Sequence, residues 1–409
     1  DSAATAGEET ADTDDAPEGQ RTIQLLTFNS PEQMQPLIDA WGADHPDVSI
    51  EVQSVPFGEL NAVIQSRVGG GDADVDVFLV DQPRLAGLAA DGLLADLTDD
   101  VEIAAGTILP DALDAAMYDG RLYALPVQTS TQLLFYNPDL LESAGVDIPT
   151  ANPDDRLTWE AAVEAGTAAQ DAGAAWGIVF EQGATPYQLL PLPQSLGGAT
   201  GLTGDDMLTP ELTTEPWIEA MTWWSEVHEN GVVPRGMGFG VTTETFAAGD
   251  AAFFLAGPWN LGILGGQELP FEFGVTAHPY FADGEPVTPT GSFGWGVNPA
   301  SDVSADAIDF VEFVATTAEG SLAVAEGDPN IPTQTEALES YLGGELFGDG
   351  VGDLISYELE NTAMVRPVTT GYIEYETILG AALEDIRNGL DVESTLASAE
   401  SDLSAALGQ

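Results

Sequence analysis

The chain has 409 residues, and its 69 acidic side chains face only eight basic ones, all arginine, for a net charge of −61. Nucleic acid and anionic lipid are excluded as partners because both need basic patches, and the missing lysine removes Walker A loops, Schiff-base chemistry and protein-kinase chemistry. There is no cysteine, so disulfides and thiol catalysis are excluded, and no apolar run reaches the ~18 residues of a membrane span.

The length suggests two domains or lobes, and the acidity reads as a solubility device suited to high salt or as a field that attracts cations. Residues 1–20 hold nothing large and apolar and read as a disordered acidic tether. "RTIQLLTF" (21–28) reads as a strand. Ser30 and Pro31 then start a helix to about Asp44, as N-cap and first helical residue. "VSIEVQSV" (48–55) is a strand, 58–68 a helix, and "VDVFLVD" (75–81) a near-continuous apolar strand of the kind buried in parallel sheets. This is the βαβ rhythm of an α/β sheet.

"GRLYALPV" (120–127) and "STQLLFYN" (130–137) continue as strands, with helices around 138–144, 158–173, 186–196 and 215–230 and the strand "WGIVFE" (176–181) among them. A short helix at 242–248 precedes the strand "AAFFLAG". "FEFGVTAHP" (271–279) and "GSFGWGVNP" (291–299) are further strands, the latter a return to the first unit. Helices are expected at 303–316, 319–327, 333–341, 350–361, 372–388 and 392–407. Two α/β units, 20–125 and 131–285, are each visited more than once. Ligands of open α/β sheets bind at the carboxyl ends of strands, so two facing lobes bring those ends to a shared cleft.

Catalytic and metal motifs fail on inspection. Asp72, Asp74 and Asp76 have calcium-loop spacing, but the sixth position is Val77 rather than Gly and the twelfth is Pro83 rather than Glu. His45, His228 and His278 fall in no metal or triad pattern, and Gly236, Gly238 and Gly240 form a loop, with no phosphate motif. With 69 acids, any carboxylate pair chosen for glycosidase chemistry is uninformative. No metal, cofactor or catalytic residue is therefore expected.

What recurs instead is aromatic and polar residues at strand ends, the set that packs against sugar C–H faces and bonds sugar hydroxyls. These are Asn29 and Ser30; Asp81 and Gln82; Gln128 and Thr129; Glu181 and Gln182, with Tyr187; Trp259 and Asn260; Ser292 and Trp295; and Arg366 and Tyr372. Trp41, Trp159, Trp223 and Trp224 lie in expected helices and read as packing. Asp81 has a second reading as a helix cap, and Arg366 as the partner of an acid. Trp259 follows "FFLAGP", where Gly-Pro exposes the strand end.

"DGLLADLTDD" (91–100), "YDGRLYALPVQTSTQLLFYNPDLLESAGV" (118–146), "RLTWEAAVEA" (156–165), "FAAGDAAFFLAGPWN" (246–260), "IPTQTEAL" (331–338) and "RPVTTGYIEYETIL" (366–379) follow one another in an order that resembles a known family. It is that of the extracellular solute-binding proteins (family 1) of bacterial and archaeal ABC transporters, in the maltose- and trehalose-type sugar-binding group. The resemblance implies a two-lobed α/β fold of periplasmic-binding-protein type II, a Venus flytrap. Its crossings would fall near Val127–Thr131, Thr288–Gly296 and Asp328–Thr335. The N-terminal lobe would be 21–127 plus 292–330, and the C-terminal lobe 131–288 plus 334–409. It also implies a non-enzymatic, monomeric receptor that passes a mono- or oligosaccharide to a membrane permease. Such a receptor is extracytoplasmic and lipid-anchored through a residue preceding Asp1. By similarity, Trp259 stacks on a sugar ring, Asp81 binds hydroxyls, and Arg366 and Tyr372 line the cleft. The absence of lysine departs from the family. Two rival readings stand beside it: a receptor for a cationic solute such as a polyamine, and a carboxylate-dependent glycoside hydrolase or lyase.

Overall fold

The structure, a computed structural model, describes residues 21–408, so the tether reading of 1–20 lies outside the described residues. Two sheets organise it. Their strands are β1 (Arg21–Thr27), β2 (Val48–Ser54), β3 (Val77–Asp81), β4 (Leu125–Thr129), β5 (Leu133–Tyr136), β6 (Trp176–Phe180), β7 (Ala251–Ala256), β8 (Gly274–Ala277), β9 (Phe293–Val297) and β10 (Ile331–Pro332). The six-stranded sheet runs β10-β4-β9-β3-β1-β2, and the four-stranded sheet runs β8-β5-β7-β6. The chain passes from β4 to β5, returns from β8 to β9, and leaves again after β10, so three connections join two lobes.

In the first lobe, β1 pairs in parallel with β2 and β3, while β9 returns antiparallel between β3 and β4. Helix α1 (Pro31–Asp44) opens with a full capping box in which Ser30 accepts from Gln33 N and Gln33 answers to Ser30 N. Two orphan amides of the first turn are thereby satisfied. Its Trp41 buries edge-on against Phe310, 5.3 Å between ring centres, and so seals α1 to the sheet's core.

In the second lobe, β7 is apolar throughout because both faces are covered: Phe253 and Leu255 enter one core layer and Phe254 and Ala256 the other. The connection before β9 is held by a buried carboxylate. Glu358, in a helix at Val351–Asn361, accepts from Thr288, Thr362 and Arg156.

Most expected elements stand, with three departures. The 120–127 segment splits into a short hairpin arm at Arg121–Leu122 and β4. Pro126 cannot donate to the ladder, and the register with β9 shifts beside it. The segment 186–196 is two short helices, Pro186–Leu189 and Pro191–Ser195, because Pro191 interrupts it. Helix α2 (Phe57–Arg67) matches, but a third helix, α3 (Trp259–Gly265), begins just past the expected strand end, where none was expected. Its two internal glycines hide it from a propensity reading.

Candidate ligand-binding site

The register of the first sheet gathers polar residues at one edge. Phe293 pairs with both Asp81 and Gln128, and Asn29 lies two residues past the end of β1. Several of these residues are already engaged. Asn29 donates to Asp328 Oδ2 at 3.0 Å and accepts from Thr27 Oγ1 at 2.9 Å. Gln128 donates to the Asp328 carbonyl at 3.2 Å, and the Thr129 and Thr290 hydroxyls meet at 3.1 Å. Gln82 donates its backbone N–H to the Ser292 carbonyl at 3.0 Å, leaving its side-chain Nε2 buried without a protein partner. This edge therefore doubles as the seam between β3 and the interlobe connections.

Asp81 and Arg366 face each other across the lobes as a bidentate pair: Nη2 donates to Oδ1 at 2.5 Å and Nη1 to Oδ2 at 3.2 Å. Arg84, three residues on, donates to Asp81 Oδ2 at 2.7 Å and bridges to Glu376 in helix α4 (Tyr372–Arg387). Arg366 also lies over the Tyr187 ring, 5.3 Å from its centre, and the Tyr187 hydroxyl meets Ser130 Oγ at 2.9 Å. Burial raises the Tyr187 phenol well above its ordinary range. The result is a nearly charge-balanced strip of two arginines and two carboxylates running from β3 to α4.

On the second lobe, Glu181 directly follows β6, and the turn at Gly257 and Pro258 leads from β7 into α3. The Glu181 carboxylate is 0 % exposed. Its Oε1 accepts from Trp259 Nε1 at 2.7 Å and Asn260 Nδ2 at 2.6 Å, and its Oε2 accepts from Gly257 N at 3.1 Å. Burial pushes the carboxyl up to about 7, against the pull of the three donors. Trp259 is half-buried at the first turn of α3, and its ring lies where a Cβ on Gly257 would sit. Gly257 is thus required so that the ring can fold back.

The expected residues sort by burial and partner. Trp259 keeps part of its ring open, and Asp81, Arg366, Tyr187 and Gln82 group at the lobe junction. Asn260 and Glu181 lie behind Trp259 with their polar edges consumed. Ser30 is spent on the α1 cap, and the backbone N–H of Gln182 donates to Gln188 Oε1 at 2.6 Å. Trp295 sits in the first lobe's core, 1 % exposed against Phe310. This corrects its reading as a cleft residue: two residues further along β9 than Phe293, it pairs with Leu79 and Leu125 inside the sheet rather than with the polar strand ends. Tyr372 is likewise core, its ring 5.7 Å from that of Tyr375, with only its hydroxyl reaching Glu376 at 3.5 Å.

Sequence reasoning missed Arg84, Glu376 and Ser130, and an aromatic group at the first lobe's edge. Phe28, Phe57 and Phe293 meet edge to face with ring centres 5.5–5.9 Å apart, and Phe57 is exposed. Arg84 carried a usable signal, since one of only eight arginines stands three residues after the strand-end Asp81.

The comparisons agree with this architecture. Residues 27–321, more than half of the chain, match the family model described as bacterial extracellular solute-binding protein. The arabinooligosaccharide-binding protein of Bacillus subtilis is 28% identical over 148 residues, 35% of this chain and 33% of that protein, so the match spans about a third of the relative's length. The maltodextrin-binding protein of Bacillus subtilis is 24% identical over 301 residues, 71% of this chain and 68% of that one. An ABC substrate-binding protein from Listeria monocytogenes, solved in complex with cycloalternan, superposes with a TM-score of 0.84 at 24% identity, covering 95% of this chain and 99% of that one. That likeness carries the fold: the two-lobed α/β architecture of periplasmic binding proteins. With a polar seam between two such lobes and an aromatic ring presented at the end of β7, the chain belongs to the bacterial extracellular solute-binding protein family.

Proposed function

We propose that the protein is an extracytoplasmic receptor that captures a neutral mono- or oligosaccharide between its lobes and hands it to an ABC transporter permease. The carrying observation is Trp259, partly exposed at the start of α3 just beyond β7 and anchored by Glu181. A ring held in this way offers a flat apolar face to sugar C–H groups. Relatives that bind maltodextrin and arabinooligosaccharide support a carbohydrate ligand. No described helix is long and apolar enough to cross a membrane. In this reading the receptor acts as a monomer, tied to the membrane by a lipid on a residue before Asp1.

Charge bookkeeping at the site favours sugar over the rivals. A polyamine needs bare carboxylates, but Asp81 already faces two arginines, Glu376 faces Arg84, and Glu181 accepts three N–H groups. A glycoside hydrolase needs two carboxyls with free edges flanking the scissile bond. Asp81 and Glu181 offer none. The mechanism requires no bond-making: ligand touching both lobes stabilises the closed form by its differential contacts alone. A thermal-shift panel of maltotriose, arabinotriose, mannitol and spermidine tests this, since a ligand bound to the folded state raises Tm. A rise with a saccharide supports the reading. A rise with spermidine alone overturns it.

A further inference from the structure

Glu181 is pinned before its side chain is considered. Its backbone N–H donates to the Leu255 carbonyl at 3.0 Å, and its own carbonyl accepts from Thr242 Oγ1 at 2.9 Å. The carboxylate then accepts the indole N–H of Trp259, the side-chain amide of Asn260 and the backbone N–H of Gly257. Among the described residues no arginine or histidine lies within ion-pair distance of it. The titratable group facing it is Tyr187, with Arg366 beyond that ring. The other elements packed on it, the helix at Val241–Ala247 and the turn into α3, present Thr242 and Asn260.

A buried carboxylate without a cation is costly unless its hydrogen bonds need it. Here they do. A carboxylate has two acceptor oxygens and no donor, so it can take three N–H groups at once. A glutamine in its place has one oxygen and would aim an NH2 at a donor. The three donors all belong to the segment that carries the open ring. The indole is therefore held twice, at its N–H by Glu181 and at its six-membered ring by close approach to the bare Cα of Gly257.

We propose that Glu181 is a positioning residue for ligand binding: it does not touch the ligand, but fixes Trp259 and Asn260 in one orientation so that the ring is pre-organised. This rests on the sugar-stacking reading of Trp259. Freezing one such side chain in advance is worth roughly 3- to 10-fold in affinity. An ionised Glu181 holds the indole hardest. Its protonation leaves the weaker bond to a neutral carboxyl.

The test uses the full chain in two measurements. In a 1H–15N spectrum, Trp259→Phe identifies the Trp259 indole cross-peak. That peak should lie downfield and move upfield as pH falls through about 7, and Glu181→Gln should abolish the movement. A peak that Glu181→Gln leaves at its wild-type position, or that titrates unchanged in Glu181→Gln, overturns the clamp without reference to any ligand. By calorimetry with maltotriose, Glu181→Gln should weaken binding roughly 3- to 10-fold in the wild-type background, and less than about 2-fold in Trp259→Phe, which has no N–H to hold. Gly257→Ala, which displaces the ring and leaves the carboxylate intact, should match Glu181→Gln in affinity. If Trp259→Ala weakens maltotriose but Glu181→Gln does not, the positioning role is wrong and stacking survives. If no saccharide of the thermal-shift panel binds wild type, or Trp259→Ala leaves the affinity of one that does unchanged, the stacking reading fails, and the spectrum alone decides the clamp.

Discussion

Asp81 and Arg366 are each almost wholly buried, with 4 % and 8 % of their side chains exposed, yet they are not equally dependent on each other. Asp81 has a second cation in Arg84. Among the described residues Arg366 has no second anion within ion-pair distance and its Nε has no hydrogen-bond partner, so the Tyr187 ring and the more distant Glu376 carboxylate are its remaining electrostatic support. Arg366→Met leaves Asp81 paired with Arg84 and should cost about 2–3 kcal/mol, the loss of charge-assisted hydrogen bonds plus a cation–π contact. Asp81→Asn strands a buried guanidinium and should cost about 3–5 kcal/mol. The double variant Asp81→Asn/Arg366→Met removes both buried charges and should cost less than Asp81→Asn alone, so the two substitutions fall far short of additive. Urea unfolding followed by far-UV circular dichroism reads these differences through the midpoint and slope. Because the pair joins the lobes, small-angle scattering of Asp81→Asn should also show a larger radius of gyration than wild type. The reasoning is refuted if Arg366→Met is the costlier single change, or if the double variant costs the sum.

Gly257→Ala should lower Tm and change tryptophan fluorescence, since the added methyl would fall on the Trp259 ring that Glu181 holds; an unchanged Tm and spectrum would show that the ring moves aside freely. Phe254→Ala, in β7 between Phe135 and Phe246, should cost about 3–5 kcal/mol in denaturant titration. His228 and His278 are buried, and burial pushes them down to about 4 and about 3 from 6.5, with Arg387 and Arg156 adding repulsion. Below pH 6.5 the unfolded chain takes up protons that the folded one refuses, so their stabilisation is present above 6.5 and lost as pH falls toward 4. Glu181 acts in the opposite sense: raised from 4.5 to about 7, it contributes stability below 4.5 that is lost as pH rises through 7. Replacing either histidine by Gln should therefore shrink the Tm drop between pH 7 and 4.5, while Glu181→Gln should remove part of the decline on the alkaline side. Unchanged Tm–pH curves in these variants would contradict the assignments.

The amino-acid pattern alone determined the local structure where one physical signal dominates. Ser30-Pro31 specified a helix start because capping and a fixed proline φ act within a few residues. "AAFFLA" specified a strand covered on both faces because no alternation was left for solvent. Strand-end polar residues were legible too, and the register did bring Asp81 and Gln128 to one edge against Phe293. What only the tertiary structure decided is which of those side chains remain free. Trp295 and Tyr372 carry the same residue types as cleft residues, but depth along β9 and helix phase place them in the core. Arg366 had two readings, and it took Asp81, 285 residues away in sequence, to choose the ion pair. Glu181 resembles any strand-end acid until β6 and β7 lie side by side and place Gly257, Trp259 and Asn260 around it. Capping and periodicity are short-range, whereas burial of a polar atom depends on partners that chain topology supplies from far away.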